Sequence, residues 1–164
     1  LIFAEISFAI LTQKKGGTFI LKYFDIFHKM SIDMLYLLNC FYESVIITKP
    51  CTSRVANSEK YIVCENFKFE DTTSYFNVLY KIFNEYDLKT CNISSLLKNE
   101  IPCIFTNQII EINYILGQSQ IENINSTIEL INNNSPDKLE NIRKKNVAKC
   151  IDWCIKNNLP YNML

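Results

Sequence analysis

The chain has 164 residues, of which 48% are hydrophobic and 13% aromatic. That composition suits one domain with a packed core and excludes a disordered or low-complexity segment. Lysine plus arginine equal aspartate plus glutamate at 17 each, so whole-chain charge does not advertise a nucleic-acid binder, although a local patch can still be basic.

The chain opens at Leu1 with Leu-Ile-Phe-Ala-Glu-Ile-Ser-Phe-Ala-Ile-Leu11. This stretch is too short to span a bilayer, and its lysines follow rather than precede it, unlike a signal peptide. It reads as an amphipathic helix already under way, so the domain is expected to begin upstream. Lys14 and Lys15, then Gly16-Gly17, are stop signals for that helix. Thr18 to Tyr23 is a short apolar run, as in a strand covered on both faces. Ser31 can cap a helix over Ile32 to Tyr42, with Asp33 in its first turn. Ser44 to Lys49 reads as a strand ended by Pro50. The polar loop Cys51 to Ser58 follows, and Glu59 to Cys64 is the next strand.

Helix–strand–helix–strand is the rhythm of an α/β sheet. The loop between Lys49 and Glu59 is too short for a helical crossover, so the last strand must run antiparallel. Beyond about Phe69 the periodicity becomes helical. Phe76, Leu79, Tyr80 and Phe83 share one face, as do Val147, Cys150, Ile151, Cys154 and Ile155. Those aromatics, continuing to Tyr86, are expected in the core. One or two helices fit between Ile104 and Leu130. Ser135-Pro136-Asp137 starts another, which Asn157-Asn158 and Pro160 stop. His28 and Trp153 are assigned to packing. The seven cysteines form no CxxC pair and His28 is the sole histidine, so no metal site is expected and the thiols read as reduced and mostly buried.

Two charges stand out. Lys22 closes the first strand and Glu59 opens the last. Taken alone, each is an ordinary solvated strand end, the lysine snorkelling to water. With an antiparallel last strand, however, both emerge at the same edge of the sheet, where open α/β folds bind ligands. A buried lysine beside a carboxylate can prepare a hydroxyl for attack.

The blocks Gly16-Gly-Thr-Phe-Ile-Leu-Lys22-Tyr-Phe-Asp, Leu35-Tyr-Leu-Leu and Lys49-Pro-Cys-Thr-Ser-Arg54-Val-Ala-Asn57-Ser-Glu59-Lys-Tyr-Ile-Val-Cys64 resemble the FtsJ-like RNA 2′-O-methyltransferases. They look most like the mRNA cap ribose methyltransferases of eukaryotes and large DNA viruses. Val55 stands where that family often has proline. The helical tail, with Cys150-Ile-Asp-Trp-Cys-Ile-Lys-Asn-Asn-Leu-Pro160, is similar to tails of the large-virus members.

The resemblance implies a lysine–aspartate–lysine–glutamate site. Lys22 matches its second lysine and Glu59 its glutamate. The first lysine, the aspartate and the glycine-rich loop for S-adenosylmethionine would lie upstream of Leu1, so no cofactor-binding residue is assigned here. In this scheme Lys22 is the general base or hydroxyl-orienting group, and Glu59 holds it. Ser53, Arg54, Asn57 and Ser58 are the candidate RNA contacts, with loop bracing as the plain alternative for Arg54. No metal is required.

The expected fold class is therefore α/β: the C-terminal half of a Rossmann-like methyltransferase sheet over residues 1–69, followed by an α-helical extension packed on it over 70–164. The expected activity is methyl transfer to an RNA ribose 2′-hydroxyl, on a cap-proximal nucleotide of mRNA, with this segment inactive by itself. The competing readings are a non-catalytic RNA-binding or subunit-interaction module, and a ribosomal or transfer RNA target. RNA, in the first instance capped mRNA, is the expected partner, with no membrane. The expected setting is the cytoplasm, with a viral factory, virion or nucleus as alternatives.

Overall fold

The opening apolar stretch forms helix α1, Ile2–Thr12, in a computed structural model that describes residues 1–85, 93–133 and 135–162. Ile6, Ala9 and Ile10 face the core. Gly16 turns the chain with φ +78°, a conformation that favours glycine. The turn is tied to the sheet: Gly16 N–H donates to the Phe67 carbonyl at 2.8 Å, and Phe67 N–H donates to the Gly17 carbonyl at 3.1 Å. A Cβ at Gly17 would lie 2.8 Å from the Lys14 carbonyl oxygen.

Strand β1 (Phe19–Tyr23), helix α2 (Lys29–Phe41), strand β2 (Tyr42–Thr48) and strand β3 (Lys60–Phe67) follow. The sheet order is β1-β3-β2, and β3 is antiparallel to both neighbours. The antiparallel last strand is thus as expected. β1 and β2 point the same way but never pair, because β3 lies between them. One face of the sheet is packed, with Leu21, Tyr23, Ile62 and Cys64 buried. The other is open: Ile20 is 61% exposed and Ile46 47%. β1 is therefore covered on one face in the described residues, not on both.

Helix α2 starts ahead of the expected cap. His28 is its N-cap, so Ser31 sits within the first turn and Asp33 beyond it. Asp33 is fully buried and used elsewhere. Its Oδ2 accepts from the Ser95 hydroxyl at 2.6 Å and from the Leu96 amide at 2.8 Å, while Lys29 donates to Oδ1 at 2.8 Å. This carboxylate pins the 95–97 segment onto α2. No loop separates α2 from β2, because the Tyr42 ring is drawn inside against Phe67, 5.0 Å away. Tyr42 Oη is the one buried side-chain polar atom with no hydrogen-bond partner among the described residues.

Helix α3, Thr73–Glu85, is started by Asp71, whose carboxylate accepts the Thr73 N–H at 2.9 Å and hydroxyl at 3.0 Å. Phe41 anchors its entry, 5.1 Å from the Phe69 ring and 5.0 Å from Tyr75. Of the face expected in the core, only Leu79 is buried. Phe83 meets Phe3 of α1 at 5.1 Å, but Phe76 and Tyr80 stay half exposed, stacked on each other at 5.6 Å. Among the described residues that face is covered at Leu79 and, through Phe3, in part at Phe83. Tyr86 lies outside the described residues.

The stretch after Ile101 forms one helix, α4, Cys103–Asn133. The chain divides into two compact units, Leu1–Gln120 and Ile121–Leu164. The first holds the sheet, α1 to α3 and the first part of α4. The second holds the rest of α4 and helix α5, Pro136–Lys156, which starts and stops at the expected signals. None of the α5 side chains is buried. Trp153 is 41% exposed and His28 is also exposed, so neither packs as expected. Of the six described cysteines, all free, only Cys64 is buried, and burial pushes its thiol up to about 12. No helix among the described residues is long and apolar enough to cross a membrane.

Burial pushes the Asp33 carboxyl up, but its Lys29, Ser95, Leu96 and Leu97 donors outweigh this and hold it below the usual 3.8. Its stabilisation is therefore complete above pH 3.8 and disappears as the pH falls through the depressed folded value. Asp33→Ala is expected to cost about 2–4 kcal/mol in urea unfolding at neutral pH, because it strands the Leu96 and Ser95 donors. A loss within ~0.5 kcal/mol of zero counts against that role.

Candidate active site

Strand alternation and register build this site. Lys22 on β1 lies directly across from Tyr61 on β3, and side chains of directly paired residues share a face. Glu59 precedes Tyr61 by two positions, so it emerges on that face as well. The result is a cluster on the open side of the sheet edge. Lys22 Nζ lies 3.0 Å from Glu59 Oε2, and the Tyr61 hydroxyl donates to Glu59 Oε1 at 3.3 Å. The Lys22 ammonium also sits 5.5 Å from the centre of the Phe24 ring.

The two charges expected to meet do so, but Lys22 is not buried. Its side chain is 50% exposed, against 19% for Glu59. The hydrogen bond to Glu59 holds the Lys22 ammonium above its usual range, the opposite of a lysine prepared by burial. The same hydrogen bond holds the Glu59 carboxyl below its usual range, helped by Tyr61 and Lys49. Lys22 here is a fixed cation at neutral pH.

The loop between β2 and β3 is two successive turns. Ser53 N–H donates to the Pro50 carbonyl at 2.9 Å and Asn57 N–H to the Arg54 carbonyl at 3.3 Å. Lys49 fills the loop. Its ammonium donates to the Glu59 carbonyl at 2.7 Å, the Asn57 carbonyl at 2.8 Å and Asn57 Oδ1 at 3.0 Å. Ser53 Oγ is more distant, 3.4 Å. Gln120 of α4 supports the loop tip by donating to the Ala56 carbonyl at 3.0 Å.

Among the proposed RNA contacts, Arg54 is exposed and its guanidinium has no partner among the described residues. Lys49, not Arg54, braces the loop. Asn57 Oδ1 is committed inward, since it also accepts the Glu59 N–H at 3.2 Å. Ser53 and Ser58 are half-buried, and the Ser58 carbonyl accepts from Lys60 at 2.8 Å. Lys60 is buried and also donates to the Phe24 carbonyl. Tyr61, Lys49 and Lys60 were not among the expected site residues. The register that pairs Lys22 with Tyr61 was the available signal for the first. Nothing in the sequence alone distinguished the two lysines from surface ones.

Residues 1–67 match the family model described as FtsJ-like methyltransferase. This segment is FtsJ-like. The match ends with β3, so it holds the whole sheet and the Lys22–Glu59 pair. The chain is 29% identical over 144 residues to "Cap-specific mRNA (nucleoside-2'-O-)-methyltransferase 2" of Mus musculus, covering 86% of this chain and 18% of that protein. It is 45% identical over 67 residues to the Drosophila melanogaster protein of the same name, covering 41% of this chain and 10% of that protein. Similarity to "Cap-specific mRNA (nucleoside-2'-O-)-methyltransferase 1" of Homo sapiens is 44% over 68 residues, covering 42% of this chain and 8% of that protein. The chain thus resembles a part of proteins named as cap-specific mRNA (nucleoside-2'-O-)-methyltransferases. It spans less than a fifth of the length of these relatives.

An FtsJ-like methyltransferase implies S-adenosylmethionine, but among the described residues the three glycines form no glycine-rich loop to cradle it. The Gly16 N–H and Gly17 carbonyl are spent on Phe67, and Gly117 lies inside α4. Among the described residues, no three His, Cys, Asp or Glu side chains gather as a metal-binding group.

The pair defines a pH window. Lys22, raised above 10.5, gives stabilisation that is complete below pH 10.5 and lost as the pH rises through its folded value. Glu59, lowered below 4.5, gives stabilisation complete above pH 4.5 and lost as the pH falls through its folded value. NMR titration of the Glu59 carboxyl and Lys22 Nζ should find the pair intact across that window. In Glu59→Gln the Lys22 titration should move down. An unmoved Lys22 titration rules out the coupling.

Proposed function

We propose that this chain carries the acceptor side of an S-adenosylmethionine-dependent RNA ribose 2′-O-methyltransferase acting on a cap-proximal nucleotide of mRNA. The observation that carries the reading is the Lys22–Glu59 ion pair on the open face of the sheet edge, within the FtsJ-like segment. The length of similarity to proteins named as cap-specific mRNA methyltransferases supports the substrate class.

The acceptor hydroxyl is a weak nucleophile, and orientation is a large part of what the protein can add. Glu59 fixes the Lys22 ammonium in one position, and Tyr61 fixes Glu59. A fixed ammonium can donate to the 2′-oxygen, aim its remaining lone pair and stabilise the negative charge that grows there as the hydroxyl proton passes to solvent water. Because the pairing keeps Lys22 charged, this role suits it better than proton acceptance. A base role needs a second cation close by to bring its pKa down. S-adenosylmethionine would supply the methyl group as a sulfonium. Arg54, exposed on the adjoining loop, is suited to an RNA phosphate, with Ser53, Ser58 and the amide of Asn57 beside it. We place the protein in the cytoplasm with its capped RNA substrate.

In the complete protein, Lys22→Ala is expected to lower 2′-O-methylation on the order of a hundredfold or more, with S-adenosylmethionine affinity unchanged by calorimetry. Arg54→Ala should raise the KM for RNA roughly tenfold and change kcat much less. Wild-type methylation by Lys22→Ala sinks the assignment of Lys22, whereas no methylation by the unaltered complete protein favours the non-catalytic RNA-binding module.

A further inference from the structure

Glu59 occupies an awkward position in the backbone. The last paired residues of the ladders are Tyr23 with Lys60 and Thr48 with Tyr61. Glu59 therefore lies outside both ladders, one residue ahead of the first paired position of β3. Beyond Lys22 and the Tyr61 hydroxyl, a carboxylate on such a residue depends on whatever orders the loop that carries it.

Two lysines replace the missing ladder. The Lys49 ammonium takes the Glu59 carbonyl at 2.7 Å, and the Lys60 ammonium takes the Ser58 carbonyl at 2.8 Å. The carbonyls on both sides of the Glu59 residue are thus held by charge-assisted hydrogen bonds. Lys49 also holds the Asn57 side-chain oxygen, which receives the Glu59 N–H. Lys60 joins this assembly to the end of β1 through the Phe24 carbonyl. We infer that Lys49, with Lys60, is a positioning residue that sets the Glu59 carboxylate against Lys22.

Lys49 is not placed to touch a substrate. An ammonium has three N–H groups, and its three short acceptors, the Glu59 carbonyl and both Asn57 oxygens, use them all. Burial pushes the Lys49 and Lys60 ammonium groups down from their usual range, in keeping with their inward placement. The charged and titratable groups facing Glu59 are Lys22 from β1, Tyr61 from β3 and Lys49 from the end of β2. Those facing Lys60 are Asp25 and Lys49.

The inference rests on reading Lys22 and Glu59 as a working pair. Its test reads the pair in the 164-residue chain and not methylation, so the two can fail separately. Lys49→Met keeps the apolar stem and removes the donors. NMR titration of Lys22 Nζ and the Glu59 carboxyl then separates positioning from simple charge. Loss of a positive charge alone raises both titrations. Loss of positioning lets Glu59 leave, so Lys22 falls back toward 10.5 while Glu59 rises toward 4.5. A fall in Lys22 is expected, and an unchanged or raised Lys22 overturns the proposal. If Lys49→Met loses its cross-strand contacts between β1 and β3, Asn57→Ala is read instead. That variant removes the oxygen shared by Lys49 and the Glu59 N–H and leaves the Lys49 charge in place. The Lys22 titration is again expected to fall, and constancy overturns the proposal.

Discussion

The site depends on the antiparallel insertion of β3 between β1 and β2. That arrangement brings the finish of β1, the finish of β2 and the start of β3 to a single edge of the sheet. Three lysines and the Glu59 carboxylate meet there: Lys22 from β1, Lys49 after β2, and Glu59 and Lys60 at the start of β3. A parallel third strand would begin at the far edge and carry Glu59 with it. The register is equally restrictive. A slip by one residue would turn every β3 side chain to the opposite face, sending Tyr61 into the core and exposing Ile62, which is now fully buried. The hydrophobic core on one side of the sheet therefore fixes the functional geometry on the other.

Side-chain alternation also sorts the lysines by role. Lys22 belongs to the open face, is half exposed, and has one carboxylate partner. Lys60 belongs to the packed face, is buried, and reaches only backbone carbonyls. Burial weakens a lysine's hold on its proton, while a nearby carboxylate strengthens it. The second effect wins at Lys22 and the first at Lys49 and Lys60. Of the three lysines, the one on the open face is thus the most firmly protonated.

Much of this geometry was legible in the residues themselves. The glycine stop, the apolar runs and the short Lys49–Glu59 connection were enough to place the strands and to require that the last be antiparallel. The meeting of Lys22 and Glu59 followed from that one topological step. What stayed hidden was settled by long-range packing. Asp33 looked like a first-turn carboxylate but is a buried anchor for a segment some sixty residues later. The α3 aromatics repeat as a core face, yet the surface opposite them covers only part of it. A lysine that spends its donors on backbone carbonyls has the same sequence signature as one in water, so Lys49 and Lys60 carried no mark.

The FtsJ-like match stops at the end of β3, but the structural support of the site does not. Asn113 of α4 donates to the Ile26 carbonyl at 3.0 Å, just past β1, and Gln120 donates to the Ala56 carbonyl in the loop ahead of Glu59. One helix thus holds the two loops that flank the Lys22–Glu59 pair, and Ile109 of the same helix is buried in the core beneath. The helical residues up to Gln120 share one compact unit with the sheet for this reason. Similarity to the Mus musculus relative extends over 144 residues, well past the sheet, which is what such support requires. A family boundary drawn at Phe67 separates the residues of the pair from part of what keeps them in place.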